Sequence, residues 1–119
     1  MNWPIYPEGI YHVLNDLKKY NKPVYITENG VADAQDIHRE KFIKEHLRWA
    51  HKAISEGVDV RGYFYWSLLD NFEWDKGFWP RFGLVEIDYK NPPAGGERKI
   101  RPSAFEYKKI CENNTLELK

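Results

Sequence analysis

Val24-Tyr25-Ile26-Thr27-Glu28-Asn29-Gly30 is the stretch on which the fold turns. Its first four residues are β-branched or aromatic, the composition of a strand. They are apolar on both faces, which suggests a buried parallel strand. Gly30 then permits a turn that a side chain would resist. Upstream, Ile10, Val13, Leu14 and Leu17 recur at helical spacing after Pro7, and Asn21-Lys22-Pro23 ends that helix. Downstream, Phe42, Ile43, Leu47, Ala50, Ala53 and Ile54 mark a second helix, with Asp36 as candidate N-cap and Gly57 as its stop. Residues 61–66 (Arg-Gly-Tyr-Phe-Tyr-Trp) read as a second buried strand. Helix, strand, helix, strand with short connections is the order of βα units around a parallel sheet.

The remainder is less regular. Residues 70–82 form a long aromatic loop with a short helical turn, and residues 84–89 alternate as a half-buried strand. Residues 90–98 are a loop, with two Pro and two Gly between positions 91 and 96. Residues 99–101 pair back in a small β-hairpin, and Pro102 opens a last helix carrying Phe105, Tyr107, Ile110 and Cys111. Residues 114–119 are a frayed tail. Two parallel strands and three helices do not complete a sheet, because parallel strands want neighbours on both edges and cover on both faces. The expectation is an α/β segment of a larger domain, cut at Met1, with residues 1–119 forming one incomplete unit.

Composition excludes several functions. Eighteen Lys+Arg balance eighteen Asp+Glu, so no basic surface for neutralising nucleic-acid phosphates is expected. Apolar runs fall far short of the roughly 20 residues of a membrane span, so no membrane partner is expected either. No basic-then-apolar stretch opens the chain, and a cytoplasmic protein is the expectation. The single Cys111 excludes an internal disulfide or a cysteine zinc cluster, and His12, His38, His46 and His51 lack metal-ligand spacing. No metal and no cofactor are expected. Aromatic residues, at 16% of the chain, exceed what so small a core needs. Many of them sit among charges, which suits a surface that stacks on a flat ligand face, although core packing explains part of the set.

The chemistry gathers at the two strand ends. Glu28 follows a strand directly, and in parallel sheets and barrels the C-terminal strand ends face the active site. Position alone also fits a turn residue or a salt-bridge partner. The second strand runs on into Trp66-Ser67-Leu68-Leu69-Asp70-Asn71-Phe72-Glu73-Trp74, which alternates rings with carboxylates and an amide. Carboxylates accept hydrogen bonds from sugar hydroxyls and Trp faces stack on the C–H face of a pyranose. Alternating Trp with Glu, Asp and Asn at a strand end is a carbohydrate-site composition, and two adjacent strand ends are stronger evidence for it than one.

These residues carry a resemblance. Tyr25 to Gly30, Gly62 to Trp74, Gly77-Phe78, Arg81-Phe82-Gly83-Leu84, Tyr6-Pro7-Glu8-Gly9 and Arg101-Pro102-Ser103-Ala104 together resemble the C-terminal part of the family 1 glycoside hydrolases. That family comprises the β-glucosidase and β-galactosidase TIM barrels, and the resemblance covers essentially the whole chain. It implies a partial (β/α)8 TIM barrel, from about helix 6 through helix 8, with the small hairpin before the last helix. It implies Glu28 as catalytic nucleophile and Glu73 as the residue holding hydroxyls of the non-reducing sugar. It implies sugar contacts from Trp66 and Trp74, with Phe82 a ring beside them. The implied reaction is retaining hydrolysis of a β-linked saccharide or glycoside. Relatives acting on 6-phosphorylated sugars carry a smaller neutral residue where Glu73 stands, so an unphosphorylated gluco- or galacto-configured sugar is implied.

The chain departs from the family in one decisive respect. The family's acid/base glutamate belongs to an Asn-Glu-Pro motif on strand four, and no Asn-Glu-Pro occurs here. The two carboxyls do different jobs, so the 119 residues alone are expected to be inactive. Two alternatives stand beside an inactive fragment. One is half of a split, active glycosidase, completed by an N-terminal barrel fragment. The other is a sugar-binding module that uses Trp66, Glu73 and Trp74 without hydrolysis. An unpaired strand edge with exposed inner side chains also predicts self-association.

Overall fold

The computed structural model describes residues 1, 3–90 and 96–116. Helix α1 (Glu8–Leu17) begins after Pro7 and passes through a 3-10 turn (Lys18–Tyr20) to a left-handed Asn21. Strand β1 (Val24–Asn29) follows, then helix α2 (Arg39–Ser55) and strand β2 (Val60–Tyr65). A long segment with a 3-10 turn (Trp74–Lys76) leads to β3 (Val85–Ile87), β4 (Arg98–Ile100) and α3 (Pro102–Asn113). Each element predicted from the sequence is present. Glu28 is the second-last residue of β1 rather than the residue after the strand, and β2 starts one residue earlier than expected. The expected loop at residues 90–98 and tail at 114–119 lie partly outside the described residues.

Strands β1 and β2 form a two-stranded parallel sheet, and β3 and β4 pair antiparallel with Val85 opposite Ile100 and Ile87 opposite Arg98. One face of the parallel sheet is covered by helices. Leu14, Ala50, Ala53 and Val58 make a buried cluster against which Ile10, Tyr11, Val24, Ile26 and Val60 pack. A second cluster joins Phe42, Ile43, Tyr65 and Leu84, with Tyr63, Tyr107 and Ile110 against it. The opposite face is bare, with Tyr25 54% and Phe64 57% exposed. The expectation of a strand buried on both faces is therefore corrected. Side chains alternate across a strand, and the described residues supply helices for one side only.

Helix ends show how the sequence is used locally. The stop at Gly57 (φ 94°) is a Schellman closure, with Gly57 N–H donating to Ile54 and Val58 N–H to Ala53 at 2.9 and 3.1 Å. The start of α2 differs from expectation. Asp33, not Asp36, accepts from the His38 and Arg39 amides, at 2.7 and 3.2 Å. Asp36 has a positive φ of 59° and reaches a different helix, accepting from Ser103 N–H (2.9 Å) and Ser103 Oγ (2.7 Å) at the start of α3. Its carboxylate also pairs with the fully buried Arg39. Arg39 in turn donates from Nε to the Tyr65 hydroxyl (2.9 Å) and from Nη2 to the Arg81 carbonyl (2.8 Å). A buried guanidinium is tolerated when its fork is filled in this way. The effect is to tie the loop after β1 to β2, to α3 and to the segment carrying Phe82.

Candidate active site

The C-terminal ends of β1 and β2 lie side by side, and a cleft of about 310 Å³ opens above them. Its walls are Trp3, Glu28, Asn29, Gly30, Trp66, Glu73 and Phe82. This is the small end of the range for ligand pockets, about 300–1,000 Å³. Glu28 is exposed to it and Glu73 is half-buried. Among the described residues, neither side chain has a hydrogen-bond or ion-pair partner. Both carboxylates therefore retain their acceptor capacity for whatever enters the cleft.

Close packing at the floor brings the strand ends together. Trp66 N–H donates to the Asn29 carbonyl at 3.0 Å. A Cβ on Gly30 would stand only 1.7 Å from the Trp66 carbonyl oxygen, so no other residue fits there. The loop beyond β2 is built around Asp70, whose carboxylate is fully shielded from solvent. It accepts from Gly83 N–H (2.8 Å), Ile87 N–H (3.3 Å), Arg81 Nη1 (3.2 Å), and Arg101 Nη1 and Nη2 (both 3.1 Å). Backbone bonds from Ser67 N–H to Phe82 (3.2 Å) and from Leu84 N–H to Ser67 (2.8 Å) run alongside. These contacts hold Phe82, 4% exposed, beside Trp66, and Trp3 leans on the Phe82 ring at 6.4 Å. Apolar rings and two unpaired carboxylates around one hollow suit a ligand with hydroxyls and a C–H face.

Of the five residues singled out from the sequence, Glu28, Trp66, Glu73 and Phe82 line the cleft, and Trp74 does not. Trp74 opens the 3-10 turn with φ 45° and is 82% exposed. Sequence reasoning passed over Trp3. Its only signal was a Trp placed before a Pro, ahead of the first helix, in a segment with no periodicity of its own. A larger groove of about 550 Å³ lies between α2 and α3 beside the first half of β2. It has no carboxylate among its lining residues, so size alone does not make it the reactive site.

Comparison with known proteins decides the family. The sequence pattern of glycosyl hydrolase family 1 matches residues 1–116. The chain belongs to glycosyl hydrolase family 1. Its similarity to the Sulfolobus acidocaldarius β-galactosidase is 45% identity over 117 residues, 96% of this chain and 23% of that protein. The β-glucosidase A of Thermotoga maritima is 45% identical over 98% of this chain and 28% of its own length. Among solved structures, the β-glycosidase from Pyrococcus horikoshii superposes with a TM-score of 0.90 at 50% identity, covering 98% of this chain and 26% of that one. The chain thus spans about a quarter of the length of the relatives it matches, and corresponds to their C-terminal part. Its α/β architecture is part of a TIM barrel. Among the described residues no helix is long and apolar enough to cross a membrane.

Proposed function

We propose that the cleft is the nucleophile half of a retaining β-glycosidase site. The observation that carries this is the convergence of Glu28, at the end of β1, and Glu73, on the loop beyond β2, on one hollow with Trp66 and Phe82. In the proposed reaction a Glu28 carboxylate oxygen bonds to the anomeric carbon as the glycosidic C–O bond breaks. The leaving oxygen takes its proton from a second carboxylic acid, and water activated by that same group then releases the sugar from Glu28. Glu73 accepts hydrogen bonds from the hydroxyls of the bound sugar. Trp66 and Phe82 supply the apolar wall, and Trp74 contacts the sugar from the turn that follows Glu73. A carboxylate at Glu73 repels a phosphate, which favours an unphosphorylated gluco- or galacto-configured β-glycoside.

The barrel positions follow from the same reading. Helix α1 takes the place of helix 6, β1 and β2 of strands 7 and 8, and α2 and α3 of helices 7 and 8. The acid/base glutamate and the remaining sugar contacts come from the first six strands. These dock against Tyr25 and Phe64 on the bare sheet face and against both free strand edges.

The test is reconstitution. The 119-residue chain alone gives no turnover of an aryl β-glucoside, and mixing it with a chain carrying the first six βα units of a family barrel restores turnover. Glu28→Gln then lowers the restored rate by about 10³-fold or more, the scale on which loss of a directly reacting group registers. A 2-fluoro glycoside leaves its label on Glu28. Turnover by the lone chain, or a label on another residue, overturns the assignment.

A further inference from the structure

The strand that carries Glu28 does not run in regular register to its end. Tyr25 pairs with Gly62 and Ile26 with Tyr63, but the next pair is Asn29 with Tyr65. Strand β1 advances three residues there while β2 advances two. One extra residue is therefore accommodated between Ile26 and Asn29, where Glu28 sits. A bulge of this kind re-aims a side chain and interrupts the ladder that would otherwise hold it. Something else must fix the backbone at this point, because a carboxylate that attacks one atom tolerates little displacement: a 1 Å error can cost about 10²-fold in rate.

Two hydrogen bonds converge on the residue after Glu28. Trp66 N–H holds the Asn29 backbone carbonyl at 3.0 Å. The Tyr63 hydroxyl donates to Asn29 Oδ1 at 2.8 Å. Tyr63 does not line the cleft; it reaches Asn29 from the helix-covered side of the sheet. Its position is itself fixed, since the Tyr107 ring packs on it at 6.2 Å and the Tyr107 hydroxyl donates to the Tyr63 carbonyl at 3.1 Å. Burial pushes the Tyr63 hydroxyl well above its ordinary pKa, so it stays a donor throughout the working pH range.

We infer that Tyr63 is a positioning residue, whose hydroxyl clamps Asn29 across the bulge and so fixes the direction of Glu28. The inference deepens the reading of Glu28 as nucleophile and rests on it for its catalytic meaning. The clamp itself can be measured without that reading. Tyr63→Phe keeps the ring and removes only the hydroxyl. Asn29→Ala removes the acceptor, and Asn29→Asp keeps an oxygen there.

Hydrogen exchange resolved to single amides, read by mass spectrometry on the chain, is the test. The Trp66 amide is the reporter, because it is protected by the Asn29 carbonyl. Tyr63→Phe and Asn29→Ala are expected to speed its exchange about fivefold or more, with the amides of α2 unchanged. Asn29→Asp is expected to stay close to the parent chain. Unchanged exchange at Trp66, or equal acceleration through α2 as well, overturns the clamp, since the first shows no coupling and the second only a general loss of stability. Failure of the nucleophile reading would show instead as a misplaced 2-fluoro glycoside label, with this exchange pattern intact.

Discussion

The two faces of the β1–β2 sheet are made from alternate residues of the same strands, yet they end in opposite conditions. On one face Val24, Ile26 and Val60 disappear under α1 and α2, against Leu14 at 2% and Ala53 at 0% exposure. On the other, Tyr25 and Phe64 stand in the open. The loop and hairpin beyond β2 belong with the finished face, since every polar group of Asp70 meets a partner within the described residues. The contrast separates what this quarter of a barrel completes by itself from what it leaves for other strands. The ordered loop beyond β2 places Trp66, Glu73 and Phe82 at the cleft beside Glu28 without the rest of the barrel.

The largest expected effect probes the loop. Asp70→Ala leaves Arg101, 4% exposed, without its main counter-charge. Stranding a buried charge costs about 3–5 kcal/mol. Urea unfolding is expected to lose that much, and a loss below about 1 kcal/mol would mean that the loop draws its order from elsewhere. A matched pair of truncations then tests the sheet. Leu14→Ala on the covered face is expected to cost about 2–5 kcal/mol. Phe64→Ala on the bare face is expected to stay within about 0.5 kcal/mol. Sedimentation is expected to detect self-association of the parent chain and less of it in Phe64→Ala, because the substitution removes exposed apolar area. Equal costs for the two truncations would show that the bare face is covered in solution.

Most of the architecture could be read from the sequence because it rests on local chemistry. Helical spacing found α1, α2 and α3, β-branched and aromatic runs found β1 and β2, and Gly57 marked the stop of α2. What could not be read depends on partners distant in sequence. Asp36 looked like the cap of the helix it precedes, but it serves Ser103, 67 residues away. The extra residue beside Glu28 follows from how two strands align, and no single strand encodes that. Glu73 and Trp74 are neighbours in the alternating motif, yet a positive φ at Trp74 sends one to the cleft and the other to solvent. Trp3 reaches the cleft from a segment without periodicity, where only tertiary contact with Phe82 fixes its place.

The smallest expected effect is one of pH, and it again distinguishes the covered side. His46 lies on the buried face of α2, 5% exposed, stacked 3.9 Å from the Phe42 ring with Nδ1 2.8 Å from the Phe42 carbonyl. Burial lowers its pKa below the ordinary 6.5, outweighing the help of that carbonyl and of nearby Glu45. The unfolded chain therefore binds a proton more readily than the folded one. Stability from this residue is complete above pH 6.5 and declines as pH falls from there toward the lowered folded value. Urea midpoints measured between pH 8 and pH 5 should fall over that window for the parent chain. In His46→Gln, which keeps a hydrogen-bonding side chain but does not titrate, that part of the decline should vanish. A decline that survives His46→Gln would assign the pH dependence to other groups and would mean that water reaches this part of the covered face.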